Sequence, residues 1–291
     1  MYRFIKNPDP RKKPPFGSIL DPHHQQSFGL LSLWLLNEHG GAELWDLKGV
    51  GKGNIVSGNW SHAGLLFDGV DSLVEINNES AYDVGTDDWT LFSILRSSAI
   101  NNGEILGKGG DNTNGVRYKI VVDTYEYGGS FGVEIDDNGN GGGIGKKNIF
   151  STTPFNDGID HTIMGVKDGN NLRLYIDGIE DSNSPVDISG MTSLDTSLPL
   201  VIGNFWDMDT SAYSTYQWLQ GIVLHAGIYK RALSSSQIYT ITAEPYSNIL
   251  VPQYWFMADF GAFAAGWTGK ICGVTNPSKI CGVLTSAVEG A

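Results

Sequence analysis

The chain has 291 residues, enough for one large all-β domain with extensions or for two small domains. Glycine is abundant at 38 residues, aromatics make up 11% and charged residues only 18%, a profile that favours many strands joined by turns over a helical protein. The net charge of −13 argues against a nucleic-acid partner, because a phosphate backbone demands clustered Lys and Arg.

The charge is uneven. Arg3, Lys6, Arg11, Lys12 and Lys13 stand against one acid, Asp9, so residues 1–13 carry +4 and the remainder carries −17. Such an arm is either a solvated tail or a segment that docks on an acidic neighbour, and docking makes these five cations candidate assembly residues. Pro8, Pro10, Pro14, Pro15 and Pro22 oppose helix and central strand, so residues 1–27 read as an extended arm running over a surface. His23 and His24 have no partner at ligand spacing and read as solvated. Prolines, not an apolar core of 7–15 residues, follow the basic start, so no secretory signal is expected. No run approaches the ~20 apolar residues of a membrane span, and no membrane partner is expected. Two cysteines make no disulfide framework, and a reducing cytoplasm is the expected place of synthesis.

From Phe28 the texture changes. "GLLSLWLLN" has the look of a buried strand, with Trp34 and Leu36 on one face and in the core. "GLLFDG", "SLVEI", "WTLFSILRS", "EILGKG", "RYKIVVD", "SFGVEID", "HTIMGVKDG", "LRLYIDG", "LPLVIGN" and "GIVLHAGIY" follow, most closed by Gly, Asp or Asn. Short strands so punctuated mean an antiparallel sandwich or barrel. "KDGNNLRLYIDG" reads as a hairpin. "RALSSSQIYTI" is the one helix start, with Ser234 as cap and Gln237 completing a capping box.

Catalytic chemistry is poorly represented. Glu134 and Asp136 lie at alternate positions, but Gly139 stands where a second Glu would complete a glucanase-type carboxylate set. The two acids read as a solvated strand end, no Gly-x-Ser-x-Gly or His-Glu-x-x-His occurs, and no catalytic residue is assigned. Asp136, Asn138 and Asn140 match the first half of an EF-hand loop, making calcium the one candidate cofactor, although Lys147 stands where the closing Glu should be. An Asn/Gly-rich turn explains the same residues. The best ligand-binding stretch is "GNFWDMDTSAYSTYQW", where Trp206, Tyr213, Tyr216 and Trp218 interleave with Asp207 and Asp209. Aromatic faces stack on sugars while carboxylates take the hydroxyls, whereas the bland alternative is a loop folded back on the domain.

After Pro245 the chain is aromatic and apolar, then repeats itself: "KICGV" stands at 270–274 and again at 279–283. Ile271, Val274, Ile280 and Val283 are short strand pieces that need covering, so the duplication reads as an assembly device, with a homotrimer as the expected state. Cys272 and Cys281 read as free thiols.

Five pieces in order, from "LLSLWLLNEHGGAELWDLKGVGKGNI" through "LLFDGVDSLVEI", "WTLFSILRS" and "DHTIMGVKDGNNLRLYIDG" to "GIVLHAGIYKRALSSSQI", resemble the laminin-G-like branch of the concanavalin-A-like lectin/glucanase superfamily. The resemblance covers about residues 28–243 and implies a jelly roll of two antiparallel sheets, flanked by an arm at 1–27 and a tail at 244–291. Relatives often carry an acid before "IYKRALS"; Leu224 and His225 stand there, which argues against a family metal site. The tandem Ile-x-Gly-Val units resemble C-terminal segments of bacteriophage virion proteins, and "KKPPFGSILDPHHQQSFGLLSLWLLNEHGG" resembles the start of phage-encoded lectin-like proteins. These resemblances imply a virion component with other virion proteins and host-surface glycans as partners. A stand-alone carbohydrate-binding module and a diverged glycoside hydrolase are the alternatives.

Overall fold

The structure is a computed structural model. It describes residues 3–98, 102–111, 115–123, 127–138, 143–215 and 217–253, together with residues 270–271, 274–275, 279–280 and 283–284. Phe4–Pro252 forms one compact unit, and Met1–Arg3 with Gln253–Ala291 forms another.

Within the larger unit the principal strands are β1 (Leu30–Trp34), β2 (Leu65–Asp68), β3 (Leu73–Ile76), β4 (Trp89–Arg96), β5 (Gly103–Asp111) and β6 (Arg117–Asp123). They continue with β7 (Ser130–Asp136), β8 (Lys146–Pro154), β9 (Asp160–Asp168), β10 (Asn171–Ile176), β11 (Leu200–Ile202) and β12 (Gln220–Tyr229). One antiparallel sheet runs β8-β7-β6-β5-β11-β3 and ends in the short strands Gly53–Val56 and Glu43–Leu44. The other runs β10-β9-β4-β12-β2, with β1 also paired to β12. Their inner faces enclose the main core, which includes Trp34, Leu36, Trp89, Tyr118, Ile120, Val133 and Ile163. This is the antiparallel sandwich expected, and Trp34 and Leu36 are both fully buried.

The second sheet is buried on its other side too. Phe92, Met164, Val166, Tyr175 and Tyr229 pack there against Ile238 and Ile241 of helix α1 (Ser235–Ala243) and against Tyr246 and Ile249. Burial on both faces explains why "WTLFSILR" reads as a continuous apolar run rather than an alternating one. The α1 capping box forms as expected: Ser234 accepts from the Gln237 amide while the Gln237 side chain reaches back. The expected hairpin forms between β9 and β10, where Asp168 pairs with Asn171 and only Gly169 and Asn170 turn the chain. Gly169 adopts φ +57° there, a conformation open to glycine.

The ends of the unit depart from the boundaries expected at residues 27 and 243. Arg3–Lys6, Ile249–Gln253 and Ile19–Leu20 form a three-stranded sheet. Tyr246 N donates to Pro10 O, and the buried Asn37 side chain donates to Pro14 O at 2.9 Å. The arm therefore belongs to the domain from Phe4 onward: its prolines leave carbonyls free to accept from the body. Lys13 is a further correction. Its Nζ donates to Leu36 O at 2.7 Å and Ala63 O at 2.6 Å, so this cation is spent inside its own chain. His24 is not simply solvated either, because its Nδ1 accepts from the Gln26 amide and caps the 3-10 turn Gln25–Ser27. Lys6, Arg11 and Lys12 are exposed, with Arg11 Nε 3.2 Å and Lys12 Nζ 4.0 Å from Asp9.

In the smaller unit each KICGV copy is a minimal antiparallel ladder. Lys270 pairs with Thr275 and Ile271 with Val274; Lys279 pairs with Leu284 and Ile280 with Val283. Cys272 and Cys281 lie outside the described residues. Among the described residues no helix is long and apolar enough to cross a membrane.

Candidate functional site

Strands β6, β7 and β8 present alternate residues to the side of their sheet away from the core. Arg117, Lys119 and Asp123 of β6, Glu134 and Asp136 of β7, and Lys146, Asn148 and Phe150 of β8 share it, because side chains alternate along a strand. Lys119 stands opposite Glu134, and Arg117 opposite Asp136. Glu134 is therefore no solvated strand end: it is 3% exposed and surrounded by cations. Arg117 Nε lies 2.6 Å from it, Lys146 Nζ 2.8 Å and Lys119 Nζ 3.6 Å. Burial pushes the Glu134 carboxyl up, but Lys119, Arg117 and Lys146 outweigh it and hold the group below its ordinary range. Asp136 pairs with Arg117 at 3.1 Å, and Glu104 of β5 lies 3.6 Å from Lys119.

Above this floor opens a cleft of about 260 Å³ lined by Asn102, Lys119, Asp123, Glu134, Lys146, Asn148, Phe150 and Gln217. Its aromatic lining residue is Phe150. Phe150 lies across Gly132, where a Cβ would stand 2.5 Å from the ring, so the absence of a side chain there seats it. Tyr127 stacks on Phe150 with ring centroids 4.0 Å apart and planes within 10°, and stays 42% exposed. A partly exposed aromatic beside amides and charges is the arrangement by which a sugar ring is held.

The aromatic loop expected to bind ligand crosses the same sheet. Phe205 is buried and its ring sits 4.8 Å from Lys119 Nζ. Trp206–Asp207 pairs with Ala212–Tyr213 as a small hairpin and, in parallel, with the end of β5 at Gly110 and Asp111. Trp206 and Tyr213 are half-buried and meet edge to face, centroids 5.3 Å apart. Tyr213 Oη donates to Glu75, which holds the hairpin against β3. Asp207 is buried, and its Oδ1 accepts from the amides of Asp209 at 2.9 Å and Thr210 at 3.3 Å. That carboxylate shapes a turn; Asp209 is exposed. Trp218 is half-buried, Gln217 walls the cleft, and Tyr216 lies outside the described residues.

The half EF-hand is committed elsewhere in its described part. Asp136 serves Arg117 and accepts from the Asn138 amide at 2.8 Å. Between them Asp137 accepts from the amides of Ile144, Gly145 and Thr192, which ties the loop down. Asn140 lies outside the described residues. Among the described residues no group of three or more His, Cys, Asp or Glu is gathered so as to hold a metal.

The cleft floor was partly visible in the sequence. Cations at i and i+2 of one strand, followed by acids at i and i+2 of the next, form complementary cross-strand pairs once the strands run antiparallel. Tyr127 carries no such signal, because its partner Phe150 is distant in sequence.

Two antiparallel sheets packed face to face around one core define a jelly-roll sandwich. The chain belongs to the concanavalin A-like lectin/glucanases superfamily, whose laminin-G-type model matches residues 67–239. No curated protein matches it in sequence. Among solved structures it is similar to the binding domain of Paraclostridial Mosquitocidal Protein 1, at 15% identity and TM-score 0.55, covering 75% of this chain and 52% of that one. It is similar to Trypanosoma rangeli sialidase at 14% identity and TM-score 0.53, covering 80% and 36%. It is also similar to the Botulinum Neurotoxin serotype G binding domain at 15% and 0.53, covering 74% and 50%. The chain thus spans about a third to a half of these structures' length, and the likeness is one of fold.

Proposed function

We propose that this protein is a non-enzymatic glycan-binding component of a bacteriophage virion, and that its sugar site is the cleft over β6–β8. The observation that carries the reading is the partly exposed Tyr127 ring, stacked on Phe150, which itself lines the cleft together with Lys119, Glu134, Asn148 and Gln217. The ring offers a flat apolar face for sugar C–H groups, while Asn148 and Gln217 offer both donors and acceptors to hydroxyls. Glu134 and Asp136, the nearest approach to a hydrolytic pair, are engaged by Arg117, which supports binding rather than catalysis. The virion placement rests on the duplicated KICGV ladders, which suit repeated contacts between copies and with other virion proteins, with surface glycans as the external partner.

A glycan array on the full chain, followed by titration calorimetry, tests the site. Millimolar affinity per site, about −4 kcal/mol, is expected, with avidity in a multimer adding about 10²-fold. Tyr127→Ala should abolish binding and Trp206→Ala should leave most of it. Undiminished binding by Tyr127→Ala overturns the cleft; no glycan bound at millimolar concentration overturns the lectin reading. Detection of the chain in purified phage particles by electron microscopy and mass spectrometry tests the virion role separately.

A further inference from the structure

On the far side of the second sheet, the 3-10 turn Gln25–Ser27 and helix α1 enclose a separate notch of about 140 Å³. Gln25, Gln26, Arg231, Ser236, Gln237 and Thr240 contribute to its lining, and the lining contains no Asp or Glu. In a chain of net charge −13, an acid-free notch with a guanidinium is unusual ground. The described arginine side chains Arg11, Arg96, Arg117 and Arg173 each sit on a carboxylate. Arg231 does not. Its Nε donates to Phe28 O at 2.9 Å and its Nη1 to Gln237 Oε1 at 2.9 Å and Ala232 O at 3.5 Å, while burial lowers its pKa, opposed in part by Tyr229. Its guanidinium is held between the rings of Tyr229 and Phe28, 5.4 and 5.7 Å away, and Phe28 is 75% exposed at the rim.

Gln26 supplies the second observation. It is 7% exposed, its Oε1 accepts from Ser247 Oγ at 2.7 Å, and its Nε2 is buried with no partner among the described residues. A buried amide donor without an acceptor carries an uncompensated desolvation cost, so an acceptor supplied from outside would be stabilised there. Gln237 Oε1 is already taken by Arg231 and by the Ser234 amide, which leaves its Nε2 hydrogens for a ligand. The groups left over around the notch are donors, and one of them is cationic.

We propose that this notch binds a carboxylate, with Arg231 as the charged partner and Gln26, Gln237 and Ser236 as neutral donors. One guanidinium matches the single charge of a carboxylate, whereas a phosphate dianion would stay half compensated; with Nε and Nη1 held by Phe28 O, Gln237 Oε1 and Ala232 O, Nη2 is the nitrogen left to donate. The site is independent of the glycan cleft. The carboxylate comes either from a small organic acid or from an acidic side chain of a neighbouring protein, and the two sources share this chemistry.

The test is a ¹⁹F NMR titration of fluoroacetate with the full chain in carboxylate-free buffer. Saturable line broadening is expected for the wild type and at least tenfold weaker binding for Arg231→Gln. Ser236→Asp, at an exposed first-turn position where an acid suits the helix, should block the notch with its own carboxylate and leave the melting temperature unlowered. This second variant keeps the test sound if Arg231→Gln unfolds the Phe28 region. Displacement of fluoroacetate by acetyl-Gly-Asp-Gly-amide at lower concentration than by acetate assigns the site to a protein partner; the reverse order assigns it to a free acid. No saturable broadening, or equal broadening in Ser236→Asp, overturns the proposal.

Discussion

Lys13 places its ammonium nitrogen 2.7 Å from the carbonyl oxygen of Leu36, and this bond fastens the N-terminal segment to the sandwich. The amine has left bulk water to reach it. Burial lowers its pKa to about 7, partly opposed by Glu38 and Asp160. Between pH 7 and the ordinary lysine value near 10.5, the unfolded chain holds a proton that the folded chain lacks, so raising pH favours the fold. Stability should rise between pH 7 and pH 9.5, and Lys13→Met should remove that rise. At pH 9 the variant should cost about 1–3 kcal/mol, because the Leu36 and Ala63 carbonyls lose their donor. Urea denaturation at several pH values checks this, and parallel curves for the two proteins would refute it.

His225 behaves in the opposite sense to a surface histidine. Its ring stacks on Tyr246 at 5.2 Å and meets Phe92 edge-on at 5.2 Å, and neither nitrogen has a partner among the described residues. Burial, with a smaller push from Lys13, lowers its pKa to about 3. On acidification from pH 6.5 to pH 3 the unfolded chain gains a proton that the fold refuses, so stability falls by up to ~1.4 kcal/mol per pH unit. His225→Phe should flatten that limb and stabilise the protein by about 1 kcal/mol at pH 7, since two unpaired polar atoms leave the core. Calorimetry from pH 4 to pH 7 reads both effects.

Asp46 organises the entry to the sandwich. Its carboxylate accepts from Ser32 Oγ and from the amides of Leu33, Lys48, Val50 and Gly51, at 2.8 to 3.1 Å. Asp46→Ala leaves these donors unpaired beside buried Tyr82 and should cost about 3–5 kcal/mol. A melting temperature lowered by roughly 10 °C is expected by calorimetry.

Removal of residues 254–291 should leave Phe4–Pro252 folded, because that unit holds its own cores and closes its own terminal sheet. If the KICGV ladders assemble copies, the full chain should be a trimer and the truncated chain a monomer with unchanged circular dichroism. Light scattering on both proteins decides it, and equal oligomeric states would remove the assembly role.

Alternation and punctuation by themselves determined the strands, because side-chain period and turn chemistry are local. "RYKIVVD" and "SFGVEID" state their buried and open faces, and "RALSSSQI" states its cap. What only the tertiary structure decided is where unlike segments meet. The arm, legible as proline-limited, became part of the domain because Lys13 finds carbonyls 23 and 50 residues away. Trp206 and Asp207, the most sugar-like residues in the sequence, pack and shape a hairpin. The partly exposed aromatic beside the cleft is Tyr127, whose stacking on Phe150 depends on strand pairing across β7. Local sequence sets which atoms can bind; register and long-range burial set which remain free to do so, because most polar groups buried in a fold are satisfied within it.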